Sequence, residues 1–73
     1  MSQEQCLERA RNRVRNAGFT KGFETVGSSV FGERGDYTVG VRCITEKGIV
    51  FIVVAGPEEP DCSRYRSNII DDF

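Results

Sequence analysis

The stretch that most constrains the fold of this chain lies between Gly48 and Gly56 and reads IVFIVVA. It contains no polar residue, and its β-branched and aromatic residues predict a strand that is apolar on both faces. In a chain of 73 residues, such a strand needs cover on both faces. What covers each face is therefore the main structural question that the sequence raises.

The length of the chain leaves room for one thin hydrophobic core. A domain of this size buries only about 60% of the surface that its unfolded chain exposes, so a disulfide, a metal ion or a second subunit often supplements its stability. Hydrophobic residues make up 38% of the chain and charged residues 29%, as in ordinary globular domains. Because no linker, repeat or low-complexity tract is visible, we expect residues 1–73 to form a single small domain.

Helical periodicity marks both ends of the chain. A first helix is predicted over residues 2–17, because Ser2 and Gln5 have capping-box spacing and Gly18 is a natural helix stop. Its apolar face comprises Cys6, Leu7, Ala10, Val14 and Ala17. A second helix is predicted to begin near Pro60, which suits a first helical turn. Its apolar stripe comprises Cys62, Tyr65, Ile69 and Phe73.

Three extended segments are predicted between the helices. Residues 19–31 are polar and contain glycine, which suits an edge strand, and residues 32–36 form a turn. Residues 37–45 alternate between apolar and polar, and a tight loop over residues 46–48 leads into the apolar run. The predicted fold class is therefore α+β in the order α-β-β-β-α, with a three-stranded antiparallel meander packed against two helices.

The apolar run raises the question of what its second face contacts. If both helices share one face of the sheet, we expect Phe51 and Val53 to point toward the helices. The residues left open to water are then predicted to be Ile44, Val50, Ile52 and Val54. A contiguous apolar patch on so small a protein usually marks an interface, because a solvated sheet face normally carries polar residues. The alternative is that the second helix crosses to cover this face.

The chain contains no histidine. It therefore lacks the commonest general base, the commonest metal ligand and the usual partner of a serine or cysteine nucleophile. We expect no enzyme activity, no catalytic residue, no metal site and no cofactor. Carboxylates acting alone as acid and base are the remaining catalytic option, although a core this thin rarely encloses a ligand pocket.

The three cysteines, Cys6, Cys43 and Cys62, each fall on the apolar face of a predicted element. One interpretation is three buried thiols in a reducing cytosol. A second is one disulfide, most plausibly between Cys6 and Cys43, which would contribute about 3–4 kcal/mol in the chain-entropy model. A third is metal ligation, which the spacing does not favour because no CxxC motif and no fourth ligand is present.

The first helix carries four arginines at every second position, although the net charge of the chain is −1. Arg11 and Arg15 form an i, i+4 pair and are the candidate contacts for nucleic-acid phosphates. The arginines wrap around the helix, and no aromatic residue alternates with them, so a solvated helix surface is the simpler interpretation.

These features favour a non-catalytic protein that binds another protein. We expect an inhibitor, an immunity factor or a regulator, of the kind that phages and bacteria encode as small proteins. It would act through the apolar sheet face or form a homodimer on that face. The alternatives are a nucleic-acid-binding module that uses the first helix and a disulfide-stapled periplasmic or secreted domain.

The expected location follows from the absence of targeting signals in the given sequence. The N-terminal residues lack the apolar core of a signal peptide, and the apolar run is far shorter than the roughly 20 residues that span a bilayer. These patterns predict a cytoplasmic protein without a membrane partner. A periplasmic or secreted location is the alternative if the chain is a mature fragment.

Overall fold

The computed structural model describes residues 1–71 and residue 73, which form two helices and a four-stranded sheet. The elements are α1 (Gln3–Asn16), β1 (Lys21–Val26), β2 (Ser29–Arg34), β3 (Tyr37–Ile44), a 3₁₀ turn (Thr45–Lys47), β4 (Ile49–Ala55) and α2 (Glu59–Asp71). The strands form an antiparallel meander in the order β1-β2-β3-β4. The predicted α+β class and the flanking helices are confirmed, but the predicted three-stranded sheet is wrong.

The additional strand comes from residues 19–31, which were expected to form one strand. Gly27 has a positive φ of 57° and is the first residue of a two-residue loop. Val26 and Ser29, on either side of this loop, pair with each other. Glycine at the first position of such a loop is typical of a type II′ turn. The segment therefore folds into a hairpin, in which β2 continues through the predicted turn as far as Arg34.

The first helix begins and ends as its sequence predicts. The Gln5 amide donates to Ser2 Oγ, and the Ser2 amide donates to Gln5 Oε1 at 2.8 Å, which completes the capping box. Gly18 follows the helix with a φ of 91°, a conformation that glycine adopts without strain. The buried face of the helix comprises Cys6, Leu7, Ala10 and Val14.

Both helices lie on the same side of the sheet. Helix α1 packs on β2 and β3, and helix α2 packs on β4. The buried core consists of the α1 face together with Phe19, Val30, Val39, Val41, Cys43 and Ile69. We call this side of the sheet the covered face and the opposite side the open face.

The covered face is held together by one covalent link. Cys6 of α1 and Cys43 of β3 form a disulfide, with their Cα atoms 6.2 Å apart. The Gln3 side chain reinforces this contact, because its Nε2 donates to the Cys43 carbonyl at 2.9 Å and its Oε1 accepts from Thr45 Oγ1 at 2.7 Å. Cys62 is a free, half-buried thiol.

A cluster of aromatic rings fixes the beginning of α2 against the sheet. The Tyr65 ring meets the Phe19 and Tyr37 rings edge to face, with centroid distances of 5.2 and 5.3 Å. The Tyr37 hydroxyl donates to Asp61 Oδ2 at 2.9 Å. Burial, together with this hydrogen bond and the charge of Asp61, raises the pKa of Tyr37 to about 12. Tyr37 therefore anchors α2 in its neutral form.

Gly32 marks the closest approach between the sheet and the segment that follows α1. A methyl group at this position would overlap the carbonyl oxygen of Phe19 and lie 2.9 Å from Val14 Cγ1. The absence of a side chain is what lets residue 19 cross directly over β2. The buried Phe19 ring, which α2 covers, depends on this approach.

Candidate functional site: the open face and the outer edge of β4

The open face of the sheet is formed by alternate residues of the four strands. The register places Thr38, Gly40, Arg42 and Ile44 of β3 beside Ala55, Val53, Phe51 and Ile49 of β4. From β2, the register adds Ser29, Phe31 and Glu33, and from β1 it adds Val26 beside Ser29 and Glu24 beside Phe31. Because both helices lie on the covered face, no helix of the described chain shields these side chains from water.

The predicted orientation of β4 is wrong by one residue. Val50, Ile52 and Val54 pack against the core on the covered face, whereas Phe51 and Val53 point outward and are 53% and 63% exposed. Of the four predicted interface residues, only Ile44 has its side chain on the open face, beside Ile49.

The cause is the length of the loop between β3 and β4. The predicted loop over residues 46–48 pairs Thr45 with Ile49, whereas in the structure Ile44 pairs with Ile49 because Thr45 belongs to the turn. A shift of one residue moves every side chain of a strand to the other face. The hydrogen bond from Thr45 Oγ1 to the Gln3 side chain holds Thr45 in the turn.

Five outward-facing apolar residues of β2, β3 and β4 form one continuous surface, which we call the apolar patch. It consists of Phe31, Ile44, Ile49, Phe51 and Val53. Val26 of β1, which is also exposed, lies beside Ser29 at the margin of this surface. Gly40 lies between Phe31 and Val53 in the register, and a methyl group on it would be 3.1 Å from the Phe31 ring. The ring therefore lies against the glycine, and the patch extends across β2, β3 and β4.

Arg42 lies within the apolar patch, paired with Phe51 on one side and Ser29 on the other. In the described part of the chain, it makes no hydrogen bond or ion pair. Glu33 is paired with Thr38, at the other end of the open face. Aromatic residues and arginine are enriched where protein interfaces are fully buried, so this composition is typical of a binding surface.

The outer edge of β4 is a second unpartnered feature. The Cys43 amide donates to the Ser28 carbonyl at 2.9 Å, so the backbone groups of Cys43 point toward β2. The direction of the backbone amide and carbonyl alternates from one residue to the next along an antiparallel strand. Because the groups of Cys43 point toward β2, Cys43 makes no ladder hydrogen bonds with Val50, the residue opposite it on β4. The amides and carbonyls of Val50, Ile52 and Val54 therefore point away from the sheet.

A groove follows this edge beneath α2, and we call it the β4–α2 groove. Its floor is the covered face of β4, and its α2 side is formed by Glu59, Ser63, Arg66 and Ile70. Two open sections have volumes of about 370 and 390 Å³. Ile70 is 48% exposed and makes one end of the groove apolar. Cys62 lines the other section.

The two arginines proposed for nucleic acid lie apart from both features, on α1. The Arg15 guanidinium lies 5.1 Å from the centre of the Phe23 ring, and its Nη1 is 3.5 Å from Asn12 Oδ1. Arg11 is half-buried. Nucleic-acid binding through this pair remains a prediction.

Within residues 1–71 and 73, no group of cysteine and carboxylate side chains is arranged to hold a metal ion. Neither described helix has the length and apolarity needed to cross a lipid bilayer.

Comparisons with protein-family models, with curated proteins and with solved structures found no match for this chain. The open face and the β4 edge are therefore the basis for proposing a function.

Proposed function

We propose that this chain is a small non-catalytic protein that binds another protein through the open face of its sheet. An inhibitor, an immunity factor or a regulator would use such a surface. The observation that supports the proposal is the apolar patch, which remains continuous over three strands and lies on the side opposite both helices.

The exposed aromatic and aliphatic side chains of the open face would contribute free energy to a complex. Fully burying a side chain such as phenylalanine or valine contributes about 1.5–3 kcal/mol. Phe51 and Val53 are more than half exposed, so covering each contributes about 1 kcal/mol to a complex. A solvated sheet face would normally carry polar residues at these positions, and the patch is therefore better suited to an interface.

Arg42 indicates the chemistry of the partner. A partner that covers the patch also removes Arg42 from water, and an unpaired buried guanidinium is unfavourable. We therefore expect the partner to present an apolar surface with a carboxylate opposite Arg42. An isologous dimer centred on the patch would bring the two Arg42 guanidinium groups together, because Arg42 lies in its middle, whereas the carboxylates Glu24 and Glu33 lie toward the margins of the face. A different protein is thus favoured over a homodimer on this face.

Two single lysine substitutions on the open face test the proposal. Val53→Lys places a charge inside the apolar patch, at its most exposed residue, and Thr38→Lys adds the same charge outside it on the neighbouring strand. The immobilised parent and both variants would be used to capture proteins from extracts of the source cells. A captured protein would then be purified, and its affinity for each form would be measured by calorimetry.

The expected partner binds the parent and Thr38→Lys equally and binds Val53→Lys at least about tenfold more weakly. Arg42→Glu should weaken binding by a similar factor, because it opposes the carboxylate of the partner. A partner that binds all four forms equally would contradict the proposal. So would a parent that forms a stable dimer in solution that Val53→Lys disrupts, because the patch would then be occupied by a second copy.

A further inference from the structure

The two edges of the sheet differ in their protection against further pairing. The β1 edge has charged residues at Lys21 and Glu24 and an irregular register between them. The β4 edge has neither, since Ile49–Ala55 carries no charge and no proline and pairs with β3 in continuous register. Charges and bulges are the usual devices that prevent an edge strand from pairing. Only β1 carries them.

The β4 edge also presents a regular set of hydrogen-bonding groups. The outward amides and carbonyls belong to Val50, Ile52 and Val54, as the Cys43–Ser28 hydrogen bond requires. Alternate residues with both groups directed outward are what an added strand needs for a new ladder. The edge can therefore accept about three pairs of backbone hydrogen bonds.

A second copy of this chain does not fit the edge. Helix α2 lies over β4, so pairing β4 with β4 of another copy brings the two α2 helices together. Neighbouring strands are about 4.8 Å apart, whereas packed helices need about 8–10 Å between their axes. The occupant must therefore be a strand that carries no helix above it.

We infer that the β4 edge binds an extended segment of a partner protein, which adds a fifth strand to the sheet under α2. This inference goes beyond the proposed function, because the edge and its groove are separate from the open face. The side chains of the added strand that point to the covered face enter the β4–α2 groove. There they meet Ile70 at one end, Arg66 in the middle and Glu59 at the other end.

The groove defines the chemistry of the segment. A large apolar side chain suits the end near Ile70 and Phe73, where Val50 and Ile52 form the floor. An acidic side chain two positions along the strand suits Arg66, because residues i and i+2 share a face. The occupant is therefore an extended peptide in which apolar and acidic residues alternate on the side that faces α2.

The test uses a display library of linear ten-residue peptides, selected on the immobilised disulfide-bonded protein. The enriched peptide would be synthesised, and its affinity would be measured by fluorescence anisotropy. Amide exchange of the ¹⁵N-labelled protein would be followed by NMR with and without the peptide. The amides of Val50, Ile52 and Val54 should exchange rapidly in the free protein and slow by about tenfold or more in the complex. The amides of Phe51 and Val53, already bonded to β3, should change much less.

Matched variants separate the edge from the open face. Ile52→Pro removes one outward donor, and Ile52→Ala keeps that donor while shortening the same side chain. We expect Ile52→Pro to bind the peptide about tenfold more weakly than Ile52→Ala, since one hydrogen bond is lost. Arg66→Glu, at an exposed position of α2, should weaken binding by a similar factor. It serves as the test variant if Ile52→Pro does not fold. Arg42→Glu on the open face should leave the affinity for this peptide unchanged.

Two results would overturn the inference. The first is a selection that enriches no peptide. The second is an enriched peptide whose binding Arg42→Glu abolishes while Ile52→Pro and Arg66→Glu leave it intact. The second result would support the open face as the binding surface while excluding the edge, so the two proposals can fail separately.

Discussion

On one side of β4, Val50, Ile52 and Val54 pack against the core, whereas on the other side Phe51 and Val53 remain in contact with water. The two sides have nearly the same composition, so hydrophobicity alone does not decide which of them becomes core. Which side of β4 is buried depends on where the helices lie and on which residues the β3–β4 loop contains. The apolar side of β4 that no helix covers is therefore the candidate for function.

Among the changes that compare the two faces, removal of the disulfide on the covered face should cause the largest loss of stability. Replacing Cys6 and Cys43 by alanine should lower the free energy of unfolding by about 3–4 kcal/mol in the chain-entropy model. Urea denaturation followed by circular dichroism measures the change. Cys62→Ala is the control, since Cys62 is outside the disulfide, and we expect a smaller effect. Equal stability of the parent with and without reductant would contradict this role for the disulfide.

Substitution of two glycines, one on each face, compares how tightly the two faces are packed. Gly32→Ala should cost about 2–3 kcal/mol, because the added methyl group overlaps the backbone of Phe19, which cannot move without disturbing the core. Gly40→Ala should cost less than about 1 kcal/mol, because the Phe31 ring on the open face can rotate toward water. Thermal and urea unfolding of both variants measure the difference. Equal costs would mean that the open face is packed as tightly as the covered face.

A smaller loss of stability is expected at high pH, when Tyr37, at the margin of the covered face, ionises. Its pKa in the folded protein is about 12, above the ordinary value of 10.0, so the fold favours the neutral phenol. The stability that Tyr37 contributes is therefore complete below pH 10 and is lost as the pH rises from about 10 to about 12. Urea midpoints measured across this range should fall more steeply for the parent than for Tyr37→Phe. Parallel curves would exclude this contribution.

Much of the fold followed from local patterns in the sequence. The capping box of Ser2 and Gln5 and the helical spacing of apolar residues predicted α1, and alternation predicted β3 from Tyr37 onward. The apolar run has no polar side, so the sequence also predicted that an apolar surface would be left open if both helices shared one face of the sheet. These features depend on contacts between residues close in sequence, which single-sequence patterns record well.

The orientation of β4 could not be predicted in this way. It depends on whether Thr45 belongs to the strand or to the turn, and that is decided by hydrogen bonding to Gln3, which is distant in the sequence. The same error moved Val50, Ile52 and Val54 from the core to the predicted interface. The alternation predicted for residues 37–45 puts Arg42 on the same side as Ile44, but its place beside Phe51 required the correct register.

The hairpin between β1 and β2 was missed for a different reason. Residues 19–31 were interpreted as one polar, glycine-containing edge strand, whereas Gly27 adopts a positive φ and begins a two-residue loop. The signal was one glycine between residues of moderate strand propensity, without the Asn-Gly or Asp-Gly pair that marks such loops most clearly.

In this structure, β4 presents Val53 to water and Ile52 to the core, and two lysine substitutions at these adjacent positions test that orientation. The measurement is the free energy of unfolding of Val53→Lys and Ile52→Lys relative to the parent, by urea denaturation. We expect a change within about 0.5 kcal/mol for Val53→Lys and a loss of about 2 kcal/mol or more for Ile52→Lys. The reverse order would place Ile52 on the open face and contradict the binding surface proposed for this protein.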